Sequence, residues 1–468
     1  MLTLDYANCL FDRVGNHGLD PARLEPNSDL AAAAASLTAR LAASRGTGWE
    51  RWRNLPFDPM RTEHIAAVDA LVRERTGRFD NLVVLGIGGS ALGNIALQNA
   101  LNQPFWNLLA PDARPGPRLF VIDNVDPTVF AAVLRLCPPE STLYNVISKS
   151  GETAETAAQF MCVRDALTTA LGPRARDHIV AITDPERGTM RRICDDEGYA
   201  TLPVPDGVGG RFSVLSPVGL FSAAMCGIDI RALLAGAAAM DQRCTLPDLS
   251  RNPAAMLATL LVELASRKGK TNHVMMPYAT GLVSIADWYC QLWAESLGKE
   301  FDASGERVYA GFTPIRALGA TDQHSQIQLY REGPNDKVIG FIEVGEFASD
   351  ITIPEGLNVE ALSYLEGASM TTLLNAEKRA TEYALVESQR PNFTIHMPVI
   401  DAHHIGELIS LWQIATAYAG LMLGVDAYNQ PAVETGKKAT FGLMGRSGYD
   451  DWRTRVDASL APTPYRIG

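Results

Sequence analysis

Asn145–Phe160, NVISKSGETAETAAQF, decides how the rest of the chain is read. A β-branched run, Leu143–Ile147, has the texture of a buried strand, and from Thr153 onward, with Glu152 and Glu155 at its start, the stretch reads as a helix. Between them stand Ser148, Lys149, Ser150 and Gly151. Hydroxyls, backbone N–H groups and the positive end of a helix dipole converge there, which is how proteins hold an anion such as a phosphate. The same pattern also suits an ordinary strand-to-helix turn with a serine N-cap. A second stretch, Asn81–Leu101, NLVVLGIGGSALGNIALQNAL, repeats the plan with an apolar strand, a glycine-rich turn ending in Ser90, and an alanine-rich helix. Two such turns favour the anion reading.

Outward from these turns the chain alternates. Strands are expected at Leu82–Leu85, Leu119–Ile122, Leu143–Ile147, His178–Ile182 and Ala200–Val204, with helical segments between them. That rhythm implies right-handed crossovers and a mainly parallel sheet covered on both faces. Ligands bind such sheets beyond the carboxyl ends of the strands, where both candidate turns fall. A second α/β region is expected from strands at His273–Met276, Lys337–Val344 and Phe393–Pro398 and helices at Ser284–Leu297 and His403–Leu423. The organisation read from the sequence is a helical N-terminal extension (1–80), a first α/β domain (81–230), a helical connection (231–271), a second α/β domain (272–425) and a C-terminal helical segment (426–468).

With 468 residues, 47% of them hydrophobic, the chain can bury a large core. Its net charge of -12 repels nucleic acid and anionic membranes, so neither is expected as a partner. The seven cysteines are scattered and form no C-x-x-C pair, which suits reduced thiols in the cytoplasm and neither a disulfide frame nor a zinc site. The start, MLTLDYANCL, lacks a basic signal-peptide region. The longest apolar run, Leu408–Val425, contains Ser410, Gln413 and Thr416 and reads as a buried helix.

Chemistry concentrates in the second half. In DWYCQLWAESLGKE (Asp287–Glu300), helical spacing places Trp288, Gln291 and Glu295 on one face, so an amide and a carboxylate stand a turn apart beside an aromatic ring. Glu295 there can serve as a general base, or it can be the surface partner of Lys299 at i, i+4. Arg211, in the glycine-rich DGVGGRFS (Asp206–Ser213), is a guanidinium beside backbone that can approach a ligand, or one half of a salt bridge. His324 lies in a polar, amide-rich loop, and Lys437 and Lys438 follow Glu434 on a helix face.

The set GIGGS (86–90), ISKSGET (147–153), GGRFS (209–213), QLWAESLGK (291–299), DQHS (322–325) and VETGKK (433–438), in this order, resembles glucose-6-phosphate isomerases. The resemblance implies two sugar-isomerase (SIS-type) doubly wound parallel-sheet α/β domains with helical N- and C-terminal extensions. It implies an aldose–ketose isomerase of glycolysis and gluconeogenesis that interconverts glucose 6-phosphate and fructose 6-phosphate. By its motifs, Gly89, Ser90, Ser148, Lys149, Ser150 and Thr153 match a sugar-phosphate cradle and Gln291 a substrate contact. Glu295 matches the base that moves a proton between C1 and C2, and Arg211 the arginine that stabilises the enediolate. His324 matches the ring-opening histidine, supplied across a homodimer interface, and Lys437 a lysine near the ring oxygen. No metal and no organic cofactor is implied. Alternatives are an isomerase of another phosphosugar, such as mannose 6-phosphate, or a non-catalytic sugar-phosphate-binding regulator. Glu152 departs from the hydroxyl residue of many relatives, and like-charge repulsion predicts that it points away from a bound phosphate.

Overall fold

The computed structural model describes residues 1–467. Among them the strands are β1 (Thr3–Asp5), β2 (Asn81–Leu85), β3 (Arg118–Ile122), β4 (Thr142–Ile147), β5 (Ile179–Thr183), β6 (Ala200–Pro203), β7 (Asn272–Pro277), β8 (Lys299–Phe301), β9 (Arg307–Ala310), β10 (Thr313–Arg316), β11 (Lys337–Glu346) and β12 (Asn392–Val399). The first sheet, in the order β3-β2-β4-β5-β6, is parallel throughout. Every residue of β2, β4 and β5 is buried, which is why these strands read as unbroken apolar runs with no polar alternation. Helices follow all five strands, among them Leu92–Leu101 after β2 and Ala154–Leu171 after β4. Phe160, Val163 and Leu167 of the latter enter the core with Val83, Leu85, Val146 and Ala181.

The second sheet has the order β1-β12-β11-β7-β10. Its four later strands are parallel, and β1 closes the edge antiparallel to β12 with Leu4 opposite Ile395. The stretch expected to be a helical extension therefore begins with a strand that belongs to the second sheet. Strand β10 and the small β8–β9 hairpin were also absent from the sequence reading.

Helix Ala402–Met422 is buried without interruption from Ile405 to Gly420. It crosses helix Ile230–Arg243 at glycines: a Cβ on Gly236 would collide with the His403 carbonyl, and one on Gly406 with that of Leu233. Among the described residues no helix is long and apolar enough to cross a membrane.

By contacts the chain divides into two units, Met1–Ala427, holding both sheets, and Tyr428–Gly468. The second consists of helices Val433–Leu443 and Asp450–Ser459, which pack on each other with Phe441 edge-on to Tyr449.

Candidate active site

In the first sheet the chain runs from β2 outward to β3 and then returns past β2 to β4, so winding reverses between β2 and β4. In an open parallel sheet that reversal leaves a crevice beyond the strand ends, where ligands bind. Leu85 and Val146 are paired in register, so the turns after β2 and β4 leave the sheet side by side.

The turn after β4 is built from its own hydroxyls. Ser148, 4% exposed, accepts from Gly151 N–H at 3.0 Å, and Ser150 Oγ accepts from Glu152 N–H at 3.1 Å. Those two N–H groups are therefore spent inside the loop. The hydroxyl protons of Ser148 and Ser150 remain to donate, and so does Thr153, which stands at the helix N-cap position without a side-chain capping bond. Gly151 has φ +77°, and its Cβ position is filled by the Met190 backbone, so only glycine fits. The Lys149 ammonium lies 5.1 Å from the centre of the Trp49 ring. Glu152 accepts from Thr189 Oγ1 at 3.1 Å.

The turn after β2 meets two further elements. Gly88, with φ +56°, has the Gln291 amide nitrogen 2.9 Å from its Cβ position. A Cβ on Gly89 would run into the Gly210 carbonyl and come within 2.9 Å of Arg211 N. Ser90 ends this turn and passes its carbonyl to the Asn94 amide at 3.0 Å.

Arg211 is 5% exposed and held from all sides. Its Nε donates to Ser296 Oγ at 3.0 Å, Nη1 to Glu295 Oε1 at 2.9 Å and Nη2 to the Ala427 carbonyl at 2.9 Å. Phe212 beside it stacks on Trp52 with ring centres 4.8 Å apart, and the Gly210 carbonyl accepts from Ser213 Oγ and N–H. Burial lowers the guanidinium's pKa and the Glu295 charge opposes that shift, so a buried guanidinium meets a partly exposed carboxylate in a charge-assisted pair.

Glu295 stands on helix Val283–Leu297, whose far side buries Tyr289 and Trp293 in the core, while Trp288, on the same side as Gln291 and Glu295, is itself buried. Its second oxygen accepts from Gln291 Nε2 at 3.0 Å. The amide and carboxylate expected on one helix face are thus joined directly. The alternative partner fails: Lys299 Nζ contacts the backbone carbonyls of Glu295 and Ser296, at 2.8 and 2.7 Å, and not the carboxylate. The helix ends at Leu297, so Lys299 is not on it and the i, i+4 geometry does not exist.

His324 ends a short helical turn, Thr321–His324, and is exposed. Its loop is tied by Asp322, which accepts from Leu318 N–H and Ser325 Oγ, and by Gln323, bonded to Thr381. Among the described residues no hydrogen bond or ion pair joins His324 to Glu295. Lys437 belongs to the second unit, on helix Val433–Leu443, where it pairs with Glu434 at 2.8 Å. The sequence reading missed Ser296, although it is adjacent to Glu295, because a serine's role as a fixed acceptor depends on what comes to face it. The Ala427 carbonyl carries no sequence signal.

Similarity to known proteins identifies the family. The family model described as phosphoglucose isomerase matches residues 62–459. A glucose-6-phosphate isomerase of Carboxydothermus hydrogenoformans is 46% identical over 86% of this chain and 86% of its own length. One of Rubrobacter xylanophilus is 43% identical over 96% and 99%. A crystal structure of a hypothetical protein from Thermus thermophilus superposes with TM-score 0.84 at 36% identity, covering 95% of this chain and all of that one. A glucose-6-phosphate isomerase from Chlamydia trachomatis shares the fold, with TM-score 0.81 at 24% identity over 98% of this chain and 92% of that one. With six ordered motifs, two such turns and a glutamate clamped by arginine and glutamine, the chain belongs to the phosphoglucose isomerase family.

Proposed function

We propose that the chain interconverts glucose 6-phosphate and fructose 6-phosphate by ring opening and proton transfer through a cis-enediolate. The observation that carries this reading is the Glu295 carboxylate, fixed by Arg211 at 2.9 Å and Gln291 at 3.0 Å at the switch-point crevice. An aldose becomes a ketose when a proton leaves C2 and arrives at C1, with no net gain or loss of electrons. Glu295 takes the C2 proton. The C–H electron pair becomes the C1–C2 double bond, and charge moves onto O1. Arg211, immobile before substrate arrives, lowers that enediolate with its fixed positive charge. A proton passes between O1 and O2, and Glu295 returns its own proton at C1.

Ring opening precedes these steps and needs one proton removed from O1 and one given to the ring oxygen. His324 and Lys437 are assigned to this exchange, with His324 of the partner subunit completing the site of a cytoplasmic homodimer. The exposed His324, without a hydrogen bond among the described residues and on a loop braced by Asp322 and Gln323, supports that assignment. Ser148, Lys149, Ser150 and Thr153 with Gly89 and Ser90 hold the phosphate, whose binding free energy positions carbons several bonds away.

The test is formation of fructose 6-phosphate from glucose 6-phosphate in chelator, with mannose 6-phosphate run alongside, in the parent and in Glu295→Gln. The variant keeps size and hydrogen bonding but cannot accept the proton. General base catalysis contributes ~10²–10⁴-fold, so kcat should drop by that factor with KM nearly constant. Exchange of the substrate C2 hydrogen with deuterated water should drop in parallel. A variant that turns over and exchanges at the parent rate removes Glu295 from the chemistry.

A further inference from the structure

Beyond the residues assigned so far, one buried cation adjoins the clamp. Helix Val283–Leu297 stops at Gly298, and Lys299 opens β8 opposite Ala310. Its side chain turns back to the helix end, 8% exposed, with Nζ 2.8 Å from the Glu295 carbonyl and 2.7 Å from that of Ser296. The last carbonyls of a helix lack intrahelical partners and carry its negative pole, so an ammonium there holds the terminus in one geometry. The two residues it holds are the two whose side chains hold Arg211.

We infer that Lys299 is a positioning residue for proton transfer: by fixing the carbonyls of Glu295 and Ser296 it sets the placement of the carboxylate and, through both side chains, of the Arg211 guanidinium. This rests on the reading of Glu295 as the base. Charged groups around Lys299 are Arg211 from the glycine loop, Glu295 from the helix and Asp426 from the segment leading to Ala427. On the hairpin itself, Glu300 pairs with Arg307. Burial, then Arg211, push the ammonium's pKa down to about 8, against the pull of Asp426 and Glu295. Lys299 is thus charged at neutral pH and loses its proton just above it. The cap weakens as it does so, and the helix end carrying the base loosens on the alkaline side.

The experiment compares kcat and KM from pH 6 to 10 in the parent, Lys299→Arg and Lys299→Met, with melting curves for each. The parent should show an alkaline fall in kcat centred near pH 8, where Lys299 titrates. Lys299→Arg, whose guanidinium stays charged, should move that limb up by about one pH unit or more. Lys299→Met should have kcat lower by roughly tenfold at pH 7, the scale of one lost charge-assisted hydrogen bond, and no limb near pH 8. KM should stay within about twofold in both, since the phosphate contacts are untouched. A purely structural lysine would change the melting curve and leave the limb in place, which overturns the inference. If Lys299→Met does not fold, an unmoved limb in Lys299→Arg overturns it alone. Running Glu295→Gln in parallel separates the two readings. An inactive Glu295→Gln beside an unaltered Lys299 profile defeats only the positioning role, whereas an active Glu295→Gln defeats the base.

Discussion

Gly89→Ala adds one methyl group and should disable the site without touching an ionisable group. The new Cβ would fall well inside 3.0 Å of the Gly210 carbonyl carbon and oxygen and 2.9 Å from Arg211 N, closer than real Cβ atoms come. Neither neighbour yields cheaply. The Gly210 carbonyl is anchored by Ser213 through both Oγ and N–H, and the Arg211 side chain by Ser296, Glu295 and Ala427. Reaching ordinary contact at 3.4 Å requires the glycine loop and the turn after β2 to separate by roughly 1 Å, and a misplacement of about 1 Å costs on the order of 10²-fold in rate. Overpacking should also cost about 1–3 kcal/mol of stability, so the variant remains folded and assayable. Steady-state kinetics with glucose 6-phosphate should therefore show kcat down about 10²-fold, with melting measured on the same preparation. Gly209→Ala is the control, because nothing lies within 4 Å of that Cβ and its φ of -76° suits any residue. A Gly89→Ala enzyme within about threefold of the parent would refute the claim that this backbone contact holds Arg211 in register.

Three more outcomes follow from the same geometry. Ser148→Ala combined with Thr153→Ala removes two hydroxyls, each worth roughly 1.5–3 kcal/mol toward a charged ligand, so KM for glucose 6-phosphate should rise by tens of fold or more; an unchanged KM would clear this turn of phosphate binding. Subunits carrying His324→Ala, mixed with subunits carrying Glu295→Gln, should regain activity after exchange, since each heterodimer holds one intact site; verified exchange without recovery would place both residues in the same chain's site. Glu343→Gln should destabilise the second sheet, because Glu343 faces His396 at 3.4 Å and the buried Lys378 at 3.0 Å, and the first and then the second of these partners draw its pKa down to about 2. A depressed carboxylate stabilises above its ordinary pKa and loses that contribution as pH falls through the folded value, so parent and variant should differ by about 1–2 kcal/mol at pH 7 after solvent screening and converge between pH 4.5 and 2; chemical denaturation across that range measures it.

What was legible in the sequence depended on how each element meets its surroundings. Strands β2 and β4 are buried on both faces, so their apolar runs announced them. Strand β1 has only Leu4 facing the sheet core between Thr3 and Asp5, and β10 contains Pro314, which confines it to an edge. The hairpin β8–β9 is largely exposed, and its charged residues gave no alternation to read. Position along a helix placed Gln291 and Glu295 on one face because both residues lie inside the helix, where they are hydrogen-bonded. The same arithmetic misread Lys299 because Gly298 ends the helix first, and a spacing rule does not survive the end of its element. Glu152, expected to point away from a phosphate, is engaged by Thr189, a partner that arrives only when the chain returns after β5.

The two sheets divide the labour, and a glycine turn joins them. The serine-rich loop after β4 and the turn after β2 belong to the first sheet, while Gln291 and Glu295 ride on the helix that follows β7, the first parallel strand of the second. That helix packs directly against Leu92–Leu101, the helix that the turn after β2 introduces. At the crossing, Gly88 lies on the Gln291 amide and Gly89 on the Gly210–Arg211 peptide, so one turn touches the residues on either side of the carboxylate. A phosphate drawn to the first sheet would press on a turn already in contact with Gln291 and the Gly210–Arg211 peptide. Binding free energy gained at the far end of the substrate can then hold its reacting carbons against Glu295 without asking either sheet to move, which is the condition under which remote contacts raise turnover as well as affinity.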